Sequence, residues 1–357
     1  MRVLQLIDTL NPGGAERVAV SYANALAEQL DGSFLCTTRM EGDLKQQLDP
    51  EVGYLFLKKR SAYDMSAIRR LVKYCKTHNI DIIHAHTSSY FTATLATYLL
   101  KDVGLIWHDH YGKSEQLSMR PKKVLRWCSR RFKAILAVNE TLVGWAMNNL
   151  NCPEVIYFKN AVPILDPQKI MAAELPGVEG SRILMLANLR AQKDHINAIL
   201  AVKEVRKKYP DLSLHLLGLH WDDDYYQQVR LQMDQQEEHE FIHYHGSKQN
   251  VNAYIKACDL GLLSSNSEGL PMALLEYAAM QLPVVCTRVG QCEAVIQSDG
   301  YLVPPADSKA LAHAISEALN NRQEAQQKAA QLLKRVEAEY SIQTIIPKLL
   351  TVYASIH

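Results

Sequence analysis

The chain begins with Met1-Arg-Val-Leu-Gln-Leu-Ile-Asp8, and the same pattern returns at Arg182-Ile-Leu-Met-Leu-Ala-Asn188. Each stretch is a short apolar run that is followed by a turn and by a segment with helical periodicity. A buried strand that leads through a turn into a helix is the first unit of a doubly wound parallel sheet. Because this unit occurs twice, the sequence predicts two α/β domains, each with its own sheet.

Further apolar runs of strand length follow each of these two starts. Their unbroken apolar character is typical of parallel strands that are covered on both faces. We therefore expect two doubly wound, Rossmann-like domains that face each other across a cleft, with helices such as 15–29 and 66–77 between the strands. The predicted strands are 3–7, 33–36, 54–57, 82–85, 104–107, 135–138 and 155–157 in the first half, and 182–188, 214–217, 241–244, 260–263, 284–286 and 301–303 in the second.

Proline and glycine cluster between the two halves, at Pro163, Pro167, Pro176, Gly177 and Gly180. Such a cluster is typical of a linker between domains. After Ser308 the chain reads as nearly all helical. The predicted parts are an N-terminal domain over 1–163, a linker over 164–180, a C-terminal domain over 181–339, and a final helix over 340–357 that packs back on the N-terminal domain.

Composition excludes several classes of protein. The chain has 357 residues, of which 48% are hydrophobic and 22% charged, so it is neither disordered nor fibrous. Its net charge of +1 gives no reason to expect a nucleic acid partner. No apolar run is long enough for a transmembrane helix, and the first residues predict a strand rather than a signal peptide. We expect a cytoplasmic protein with reduced thiols, because its cysteines are scattered and form no Cys-x-x-Cys pair.

Two turns that follow predicted first strands suit an anionic ligand. Gly13 and Gly14 would let the backbone approach a phosphate at the start of a helix, although the same pair also fits a plain tight turn. The spacing is not Gly-x-Gly-x-x-Gly, which disfavours a dinucleotide cofactor. In the second half, Arg190 and Lys193 occupy the equivalent loop and could bind a diphosphate; the alternative is a solvated loop.

The segment Asn266-Ser-Glu268-Gly-Leu-Pro271-Met-Ala-Leu-Leu-Glu276 carries the most information. Pro271 is predicted at the first helical position, so the backbone from Met272 would present free N–H groups to an anion. Glu268 precedes this helix and Glu276 lies inside it. The two carboxylates could therefore reach different parts of one ligand, or they could be an acid near a helix start and a buried paired acid.

These residues resemble the donor site of retaining nucleotide-sugar glycosyltransferases of the two-domain type-B fold, family four. The resemblance rests on the Glu268-x7-Glu276 spacing within Ser-Glu-Gly-Leu-Pro, followed by Leu282-Pro-Val-Val285 and Val289-Gly290. It extends along the chain through the early Gly-Gly-Ala-Glu turn, Asp81-Ile-Ile-His84, Trp107-His-Asp-His110, Lys159-Asn-Ala-Val162 and the Arg190 to Lys193 loop.

The resemblance implies that the domain over 1–163 is the acceptor-side domain and that the domain over 181–339 binds the nucleotide-sugar donor. It also implies a role for each of these residues. Glu268 would hold hydroxyls of the transferred sugar, and Glu276 the ribose hydroxyls. The Gly14 amide, Arg190 and Lys193 would bind the diphosphate, and His110 would lie beside the sugar. His245 and Gly246 would border the base, while Gly13, Gly269, Leu270 and Met272 complete the nucleotide-sugar site. Family members often have Gly-Arg-Leu-x-x-x-Lys where this chain has Ala187-Asn188-Leu189-Arg190, so either Asn188 or Arg190 meets the phosphates.

Candidate metal ligands occur in pairs. His84-Ala-His86, His108-Asp-His110 and His243-Tyr-His245 each place two imidazoles on one side of a strand, and Asp222-Asp-Asp224 contains an Asp-x-Asp spacing. The histidine pairs show no third ligand nearby in the sequence, and the three acids suit the start of a helix. We therefore predict no bound metal and no cofactor. The resemblance implies that a nucleoside diphosphate sugar, most simply a UDP-sugar, is the donor.

A basic run extends from Arg120 to Lys133 and includes Leu125, Trp127 and Phe132. It predicts an amphipathic helix that could lie on an anionic membrane or meet an acidic acceptor; the alternative is a solvated helix that packs on its own sheet. The membrane interpretation would make the protein peripheral at the inner face of the plasma membrane.

The predicted function is that of a metal-independent retaining hexosyltransferase, in which a nucleoside-diphosphate sugar donates to a glycan or lipid-linked acceptor in polysaccharide biosynthesis. Charge that develops on the departing diphosphate would be stabilised by Arg190, Lys193, the Gly14 amide and the helix start at Met272. Two alternatives stay open. One is a nucleotide-sugar epimerase or hydrolase of the same fold, and the other is a non-catalytic partner subunit.

Overall fold

The computed structural model describes residues 1–112, 114–234 and 241–356, and for residues 114–116 it describes the backbone only. The chain divides into two compact units. Unit 1 consists of Met1–Ala161 and Ile342–His357, and unit 2 consists of Val162–Ser341. Each unit contains one parallel sheet with helices on both faces, which confirms the predicted doubly wound α/β class.

Unit 1 has the strand order β3-β2-β1-β4-β5-β6-β7 in its described residues, and all neighbouring strands are parallel. The chain winds outward from β1 in one direction and then restarts at β4 in the other, so the order reverses between β1 and β4. Its strands are β1 (Arg2–Ile7), β2 (Gly32–Thr37), β3 (Gly53–Phe56), β4 (Ile82–His86), β5 (Gly104–Asp109), β6 (Ala134–Ala137) and β7 (Val155–Tyr157), and the helices between them are α1 (Gly14–Ala27), α2 (Met65–Thr77), α3 (Tyr90–Thr97), α4 (Lys123–Cys128) and α5 (Glu140–Asn149).

Unit 2 repeats this design with the order β10-β9-β8-β11-β12-β13, again in parallel, so its order reverses between β8 and β11. Loops that leave the carboxyl ends of strands at such a reversal line the usual ligand crevice of an open α/β sheet. Its strands are β8 (Arg182–Leu186), β9 (Ser213–Leu217), β10 (Ile242–Tyr244), β11 (Leu260–Leu263), β12 (Val284–Thr287) and β13 (Tyr301–Val303), and its helices are α6 (His195–Arg206), α7 (Asp224–Met233), α8 (Val251–Lys256), α9 (Met272–Ala279), α10 (Cys292–Ile296), α11 (Ser308–Asn320) and α12 (Arg322–Tyr340).

The last helix, α13 (Ile342–Ile356), belongs to unit 1, where it packs against α1. Its Tyr353 is fully buried, and its hydroxyl accepts a hydrogen bond of 3.1 Å from Nε2 of Gln5 on β1. Pro347 lies inside this helix, as the sequence predicts.

The segment that the sequence predicts as a linker lies against unit 2. The Lys256 ammonium group donates to the carbonyl oxygens of Pro167 and Ile170 at 2.7 and 2.6 Å. The Arg182 guanidinium donates to the carbonyl oxygens of Leu175 and Gly177, both at 2.9 Å. These two cations bind backbone carbonyls along the segment and so attach it to unit 2.

Side-chain caps determine where several helices begin. Asp223 accepts a hydrogen bond of 2.9 Å from the amide of Tyr226, so the acids at 222–224 serve the start of α7, as predicted. The predicted position of Pro271 is wrong by one residue. Its ψ of 116° is extended, which places it at the N-cap and makes Met272 the first residue of α9.

Candidate active site

The central feature of unit 2 is an ion pair at the point where the strand order reverses. Lys193 follows β8 and Glu268 follows β11, and the distance from Lys193 Nζ to Glu268 Oε1 is 2.5 Å. The Ser265 hydroxyl donates to the same carboxylate oxygen at 2.6 Å. Glu268 is only 4% exposed, so the cation and the hydroxyl compensate a carboxylate that is almost removed from water.

The two loops that carry this pair are bonded to each other. The Asn266 amide donates to the carbonyl oxygen of Gln192 at 2.8 Å, and the Asn266 side chain donates to Asp194 Oδ2 at 3.0 Å. The Ser264 hydroxyl donates to the carbonyl oxygens of Lys193 and Asp194. Asp194 adopts a left-handed conformation with φ of 49° and caps α6. This network positions Lys193 relative to Glu268.

Gly290 shapes the backbone on the far side of Glu268. Its φ is +51°, and a Cβ at this position would lie 2.2 Å from the carbonyl oxygen of Glu268. The neighbouring Gln291 amide donates to the carbonyl oxygen of Gly269 at 3.0 Å. Only glycine permits this close approach in this conformation, and Gln291 fits where the family often has a second glycine.

Helix α9 begins beside this loop. Its N-cap, Pro271, makes no side-chain hydrogen bond to the first turn, so the backbone N–H groups that begin at Met272 suit an anion. Leu270 and Met272 are 6% and 7% exposed. Glu276 lies inside α9 and is also buried, so unit 2 has a second buried carboxylate beyond Glu268, which precedes the helix.

Asn188 and Arg190 have different surroundings in the loop after β8. The Asn188 Oδ1 atom accepts a hydrogen bond of 2.8 Å from the Leu219 amide, which fixes this loop to the loop after β9. Arg190 is exposed, and its guanidinium lies 4.5 Å from the centre of the Trp221 ring. Of these two residues, Arg190 is the one that carries a charge, and this charge faces solvent.

His245 and Gly246 follow β10, on the same side of the reversal as β8 and β9. Nε2 of His245 lies 3.0 Å from Nδ1 of His215, and the Gly246 carbonyl accepts a hydrogen bond of 3.0 Å from the Gly218 amide. Gly246 has a φ of +67°, and a Cβ there would meet nothing within 4 Å. Open space therefore borders this loop.

Gly13 and Gly14 lie in unit 1, where Gly13 is the N-cap of α1 and Gly14 its first residue. A Cβ at Gly13 would lie 2.3 Å from Oε2 of Glu16, so the carboxylate of Glu16 occupies the space that a side chain would take. The φ of Gly13 is −159°, which any residue adopts. Because the Glu16 carboxylate is the end of a flexible side chain that can move aside, this contact does not by itself require glycine at position 13.

The histidines of β4 and β5 form one buried cluster in unit 1, because these strands are parallel neighbours and His86 pairs with His108. Each of His84, His86 and His108 offers one ring nitrogen, and these three atoms lie within 4.8 Å of one another. The sequence missed this third imidazole because it comes from the adjacent strand. All three side chains are fully buried, and burial lowers the pKa of His84 to about 3 and holds those of His86 and His108 well below their usual value.

Hydrogen bonds occupy part of this cluster. Tyr353 bonds to Nδ1 of His84 at 2.7 Å, and His86 bonds to Gln5 Oε1 at 2.8 Å and to Nε2 of His110 at 3.1 Å. Both nitrogens of His86 are thus engaged. The cluster is a neutral network in which a divalent cation would have to displace one of these bonds.

His110 points its polar atoms into unit 1. Its Nε2 faces His86, and its Nδ1 is sealed from solvent without a hydrogen-bond partner in the described part of the chain. Burial lowers the pKa of His110 to about 3, against a smaller opposing effect of the Asn160 side chain. The imidazole is therefore neutral at physiological pH.

The structure corrects the interpretation of the basic run that starts at Arg120. Its guanidinium donates to both oxygens of Asp109 at 2.7 and 2.8 Å, and it lies 4.3 Å from the centre of the Tyr111 ring and 4.4 Å from that of Trp145. Arg120 is therefore a buried structural residue. The amphipathic helix is also shorter than predicted, because α4 ends at Cys128 and a 3-10 turn follows.

Comparisons with known proteins identify the family of the chain. The family described as "Glycosyltransferase Family 4" matches residues 12–163, and the family described as "Glycosyl transferases group 1" matches residues 167–335. The chain belongs to the glycosyltransferases of family four type with the type-B fold, and it is therefore an enzyme.

Relatives and solved structures are similar over most of their length. An O-antigen biosynthesis glycosyltransferase of Escherichia coli, WbnH, is 25% identical over 82% of both chains. An uncharacterized glycosyltransferase of Haemophilus influenzae is 22% identical over 76% of both. The structure of HepE from Anabaena in complex with UDP-glucose matches with a TM-score of 0.81 and 16% identity, over 99% of this chain and 100% of that one. Among the described residues, no helix has the length and apolarity to cross a membrane.

Proposed function

We propose that the chain transfers a hexose from a UDP-sugar to a glycan or lipid-linked acceptor, with retention of anomeric configuration and without a divalent metal. The observation that carries the proposal is the Lys193–Glu268 pair at the strand reversal of unit 2, where a cation suited to phosphate adjoins a carboxylate suited to sugar hydroxyls. The similar fold of HepE in complex with UDP-glucose supports the choice of nucleotide.

Transfer breaks the bond between the anomeric carbon and a phosphate oxygen, so negative charge develops on the departing diphosphate. Lys193 supplies a cation that is already held in place, and Arg190 supplies a second one that faces solvent. The uncapped start of α9 adds backbone N–H groups at Met272. Preorganised positive groups of this kind lower the barrier because they stabilise the transition state more than the ground state.

The two carboxylates have separate proposed roles. The Oε1 atom of Glu268 accepts from Ser265 and Lys193, which holds the carboxylate in place. This carboxylate accepts hydrogen bonds from hydroxyls of the transferred sugar. Glu276, further along α9, accepts from the ribose hydroxyls. Both carboxylates are buried and therefore poorly hydrated. A sugar hydroxyl that binds either of them displaces little water, so the desolvation of the carboxylate costs little.

The roles of the unit 1 residues rest on the sequence resemblance. The Gly14 amide, at the first position of α1, would bind a phosphate oxygen, and Gly13 would allow its approach. His110 would lie beside the donor sugar. His245 and Gly246 in unit 2 would border the uracil, with Gly269 and Leu270 lining the sugar end.

Retention is proposed to follow a same-face route, in which the leaving phosphate accepts the proton of the acceptor hydroxyl. A double displacement would need a carboxylate nucleophile. Asp109 is the residue before His110, and both of its oxygens are bound by Arg120, which supports the route without a protein nucleophile. Metal independence is supported by the cations at 190 and 193 and by the use of Asp223 as a helix cap.

The test is an assay of purified protein with UDP-hexoses and candidate glycan acceptors, with and without EDTA. We expect an α-linked product from an α-linked donor, assigned by NMR of the new glycosidic linkage, and the same rate in EDTA. Glu268→Gln keeps the shape but removes the charge, so turnover should fall about 10- to 100-fold while UDP still binds. Glu204→Gln, an exposed acid on α6, is the matched control.

Other outcomes separate the alternatives. A free or epimerised sugar formed without an acceptor would identify a hydrolase or an epimerase. Donor binding without any turnover would identify a partner subunit. An inverted product, or loss of activity in EDTA that Mg²⁺ restores, would contradict the proposed mechanism.

We also propose that the surface around α4 contacts anionic lipid on the inner face of the plasma membrane. The rings of Tyr98 and Trp127 stack at 5.8 Å and are 52% and 40% exposed. Leu99 and Val124 are exposed beside them. An aromatic pair surrounded by cations is suited to the lipid headgroup region. The exposed cations of this surface are Lys122, Lys123, Arg126, Arg130 and Lys133.

Sedimentation with vesicles of phosphatidylglycerol and phosphatidylcholine tests this surface. We expect binding at low salt that weakens at high salt, and further weakening in Trp127→Ser. Trp221→Ser, an exposed tryptophan of unit 2, is the control. If the wild-type protein does not bind at either salt concentration, the membrane proposal is wrong, whereas the transferase assay is unaffected.

A further inference from the structure

Three polar side chains of unit 2 form a chain of hydrogen bonds that ends at the proposed base site. Ser213 and His215 lie on β9, and His245 follows β10. The Ser213 hydroxyl lies 3.0 Å from Nε2 of His215, and Nδ1 of His215 lies 3.0 Å from Nε2 of His245. His215 is fully buried and Ser213 is 2% exposed, whereas His245 is partly exposed.

Both imidazoles are neutral at physiological pH. Burial lowers the pKa of His215 to about 3 and that of His245 to about 4, and the neighbouring histidines act in the same direction. A neutral imidazole has one N–H group and one lone pair. Exactly one hydrogen therefore lies between His215 and His245, so the two rings must be the same tautomer.

The Ser213 hydroxyl sets the direction of this chain because it has a single hydrogen. It lies 3.4 Å from the carbonyl oxygen of Ser181, to which it donates. If it donates there, it can also accept from Nε2–H of His215, and both contacts are made. If it donates to His215 instead, the contact with Ser181 is lost. The arrangement that makes more hydrogen bonds has His215 and His245 both protonated at Nε2.

This tautomer leaves the Nδ1 lone pair of His245 unused. Among the residues that the structure describes, Nδ1 has no hydrogen-bond partner, and unlike Nε2 of His243 it is not sealed from solvent. Gly246 follows directly, with the open space noted above beside its backbone. A hydrogen-bond acceptor of fixed orientation therefore borders room for a ligand.

We propose that Ser213 and His215 are positioning residues that hold His245 as the Nε2–H tautomer, so that its Nδ1 selects a base with a ring N–H group. This inference rests on the proposed function, in which His245 borders the base. Uracil carries such a group at N3. Cytosine is nearly identical to uracil in size and shape but has a lone pair at N3. A bound cytosine would therefore place this lone pair against the Nδ1 lone pair of His245. The site should therefore discriminate between the two pyrimidines.

The first measurement needs no ligand. Long-range ¹H–¹⁵N correlation spectra of ¹⁵N-histidine-labelled protein at pH 7.5 distinguish the tautomers of an imidazole, and His215→Asn and His245→Asn samples assign the two signals. We expect both rings to be protonated at Nε2. Protonation at Nδ1, or a mixture of tautomers, would overturn the proposal whatever the enzyme transfers.

The second measurement is the ratio of the dissociation constants of CDP and UDP, determined by calorimetry. We expect CDP to bind about tenfold more weakly or worse in the wild-type protein. His245→Asn can turn either an oxygen or an NH₂ group to the base, so its ratio should approach one. Ser213→Ala should lower the ratio by relaxing the tautomer, whereas Ser213→Thr retains the hydroxyl and should preserve it.

The outcomes separate this inference from the proposed function. Equal binding of UDP and CDP by a protein that transfers sugar would overturn the inference and leave the function intact. If neither nucleotide binds, both are wrong. Melting temperatures of the Ser213 variants verify folding, and the wild-type spectra and binding ratio decide the matter even if a variant does not fold.

Discussion

Acid should unfold unit 1 at a pH that its buried histidines determine. His84, His86 and His108 are fully buried and His110 bonds to His86, and all four are neutral in the folded chain because burial lowers their pKa values. In the unfolded chain each returns to its usual pKa of about 6.5. Between these values the unfolded state binds more protons, so the free energy of unfolding decreases as pH falls below about 6.5.

The size of the effect follows from proton linkage. Each histidine that stays neutral when folded costs about 1.4 kcal/mol of stability at pH 5.5 and about 2 kcal/mol at pH 5. The four together remove about 6 kcal/mol at pH 5.5 and about 8 kcal/mol at pH 5. Because domains are typically stable by about 5–15 kcal/mol, we expect unit 1 to lose most of its stability near pH 5.

Urea unfolding between pH 8 and pH 5, followed by tryptophan fluorescence, measures this effect. Trp107, Trp127 and Trp145 lie in unit 1 and dominate the signal, whereas Trp221 of unit 2 is exposed. Near pH 5 the free energy of unfolding should change by about 5 kcal/mol per pH unit, which corresponds to uptake of four protons.

His108→Leu provides the sharpest comparison, since neither ring nitrogen of His108 has a hydrogen-bond partner in the described residues. The variant should be about 2 kcal/mol more stable than the wild-type protein at pH 5 and should lose one quarter of the pH slope. His313→Asn, at an exposed position of α11, is the control. An unchanged slope in His108→Leu, or uptake of less than one proton by the wild-type protein, would refute this reasoning.

Further substitutions test other parts of the structure. In urea unfolding, Gly290→Ala should destabilise unit 2 by about 1–3 kcal/mol, and it should also reduce turnover, because the added Cβ collides with the Glu268 carbonyl. Gly144→Ala lies in open space within α5 and should stabilise unit 1 by about 0.5–1 kcal/mol in the same measurement. Arg120→Leu should cost about 3–5 kcal/mol, since Asp109 would keep a buried charge without its partner; a cost below 1 kcal/mol would contradict this. Lys193→Met should lower kcat about 100-fold or more in the transferase assay, and wild-type kcat would exclude the proposed charge stabilisation.

The strands were predictable because burial on both faces leaves a plain mark in the sequence. Each predicted strand has a counterpart in the described residues, and the differences lie at the ends. The prediction for β4 stops at Ala85 and that for β5 stops at Trp107, but the strands continue to His86 and Asp109. These polar residues look like the start of a loop in the sequence. They are buried in the strand because they bond to Gln5 and Arg120, which come from elsewhere in the chain.

The candidate site was predictable to the extent that it depends on topology. Lys193 and Glu268 are 75 positions apart, yet each follows a strand at the reversal of the sheet, where loops converge. The histidine chain was not predictable, because Ser213, His215 and His245 meet only through the register of β9 and β10. A residue's position after a strand can be predicted from the sequence, whereas its hydrogen-bond partner depends on the packing of neighbouring strands.

Arg120 shows why a charge pattern alone misleads. It begins a run of cations, and most members of such a run remain in solvent, so the run suggested a membrane surface. A guanidinium becomes buried only where a carboxylate and flat apolar groups meet it, and Asp109, Tyr111 and Trp145 provide them. One signal for this partnership was present in the sequence: Asp109 ends an apolar strand and would be left without a counterion unless a nearby cation turned inward. The exposed remainder of the run around Trp127 is therefore the part on which the membrane proposal depends.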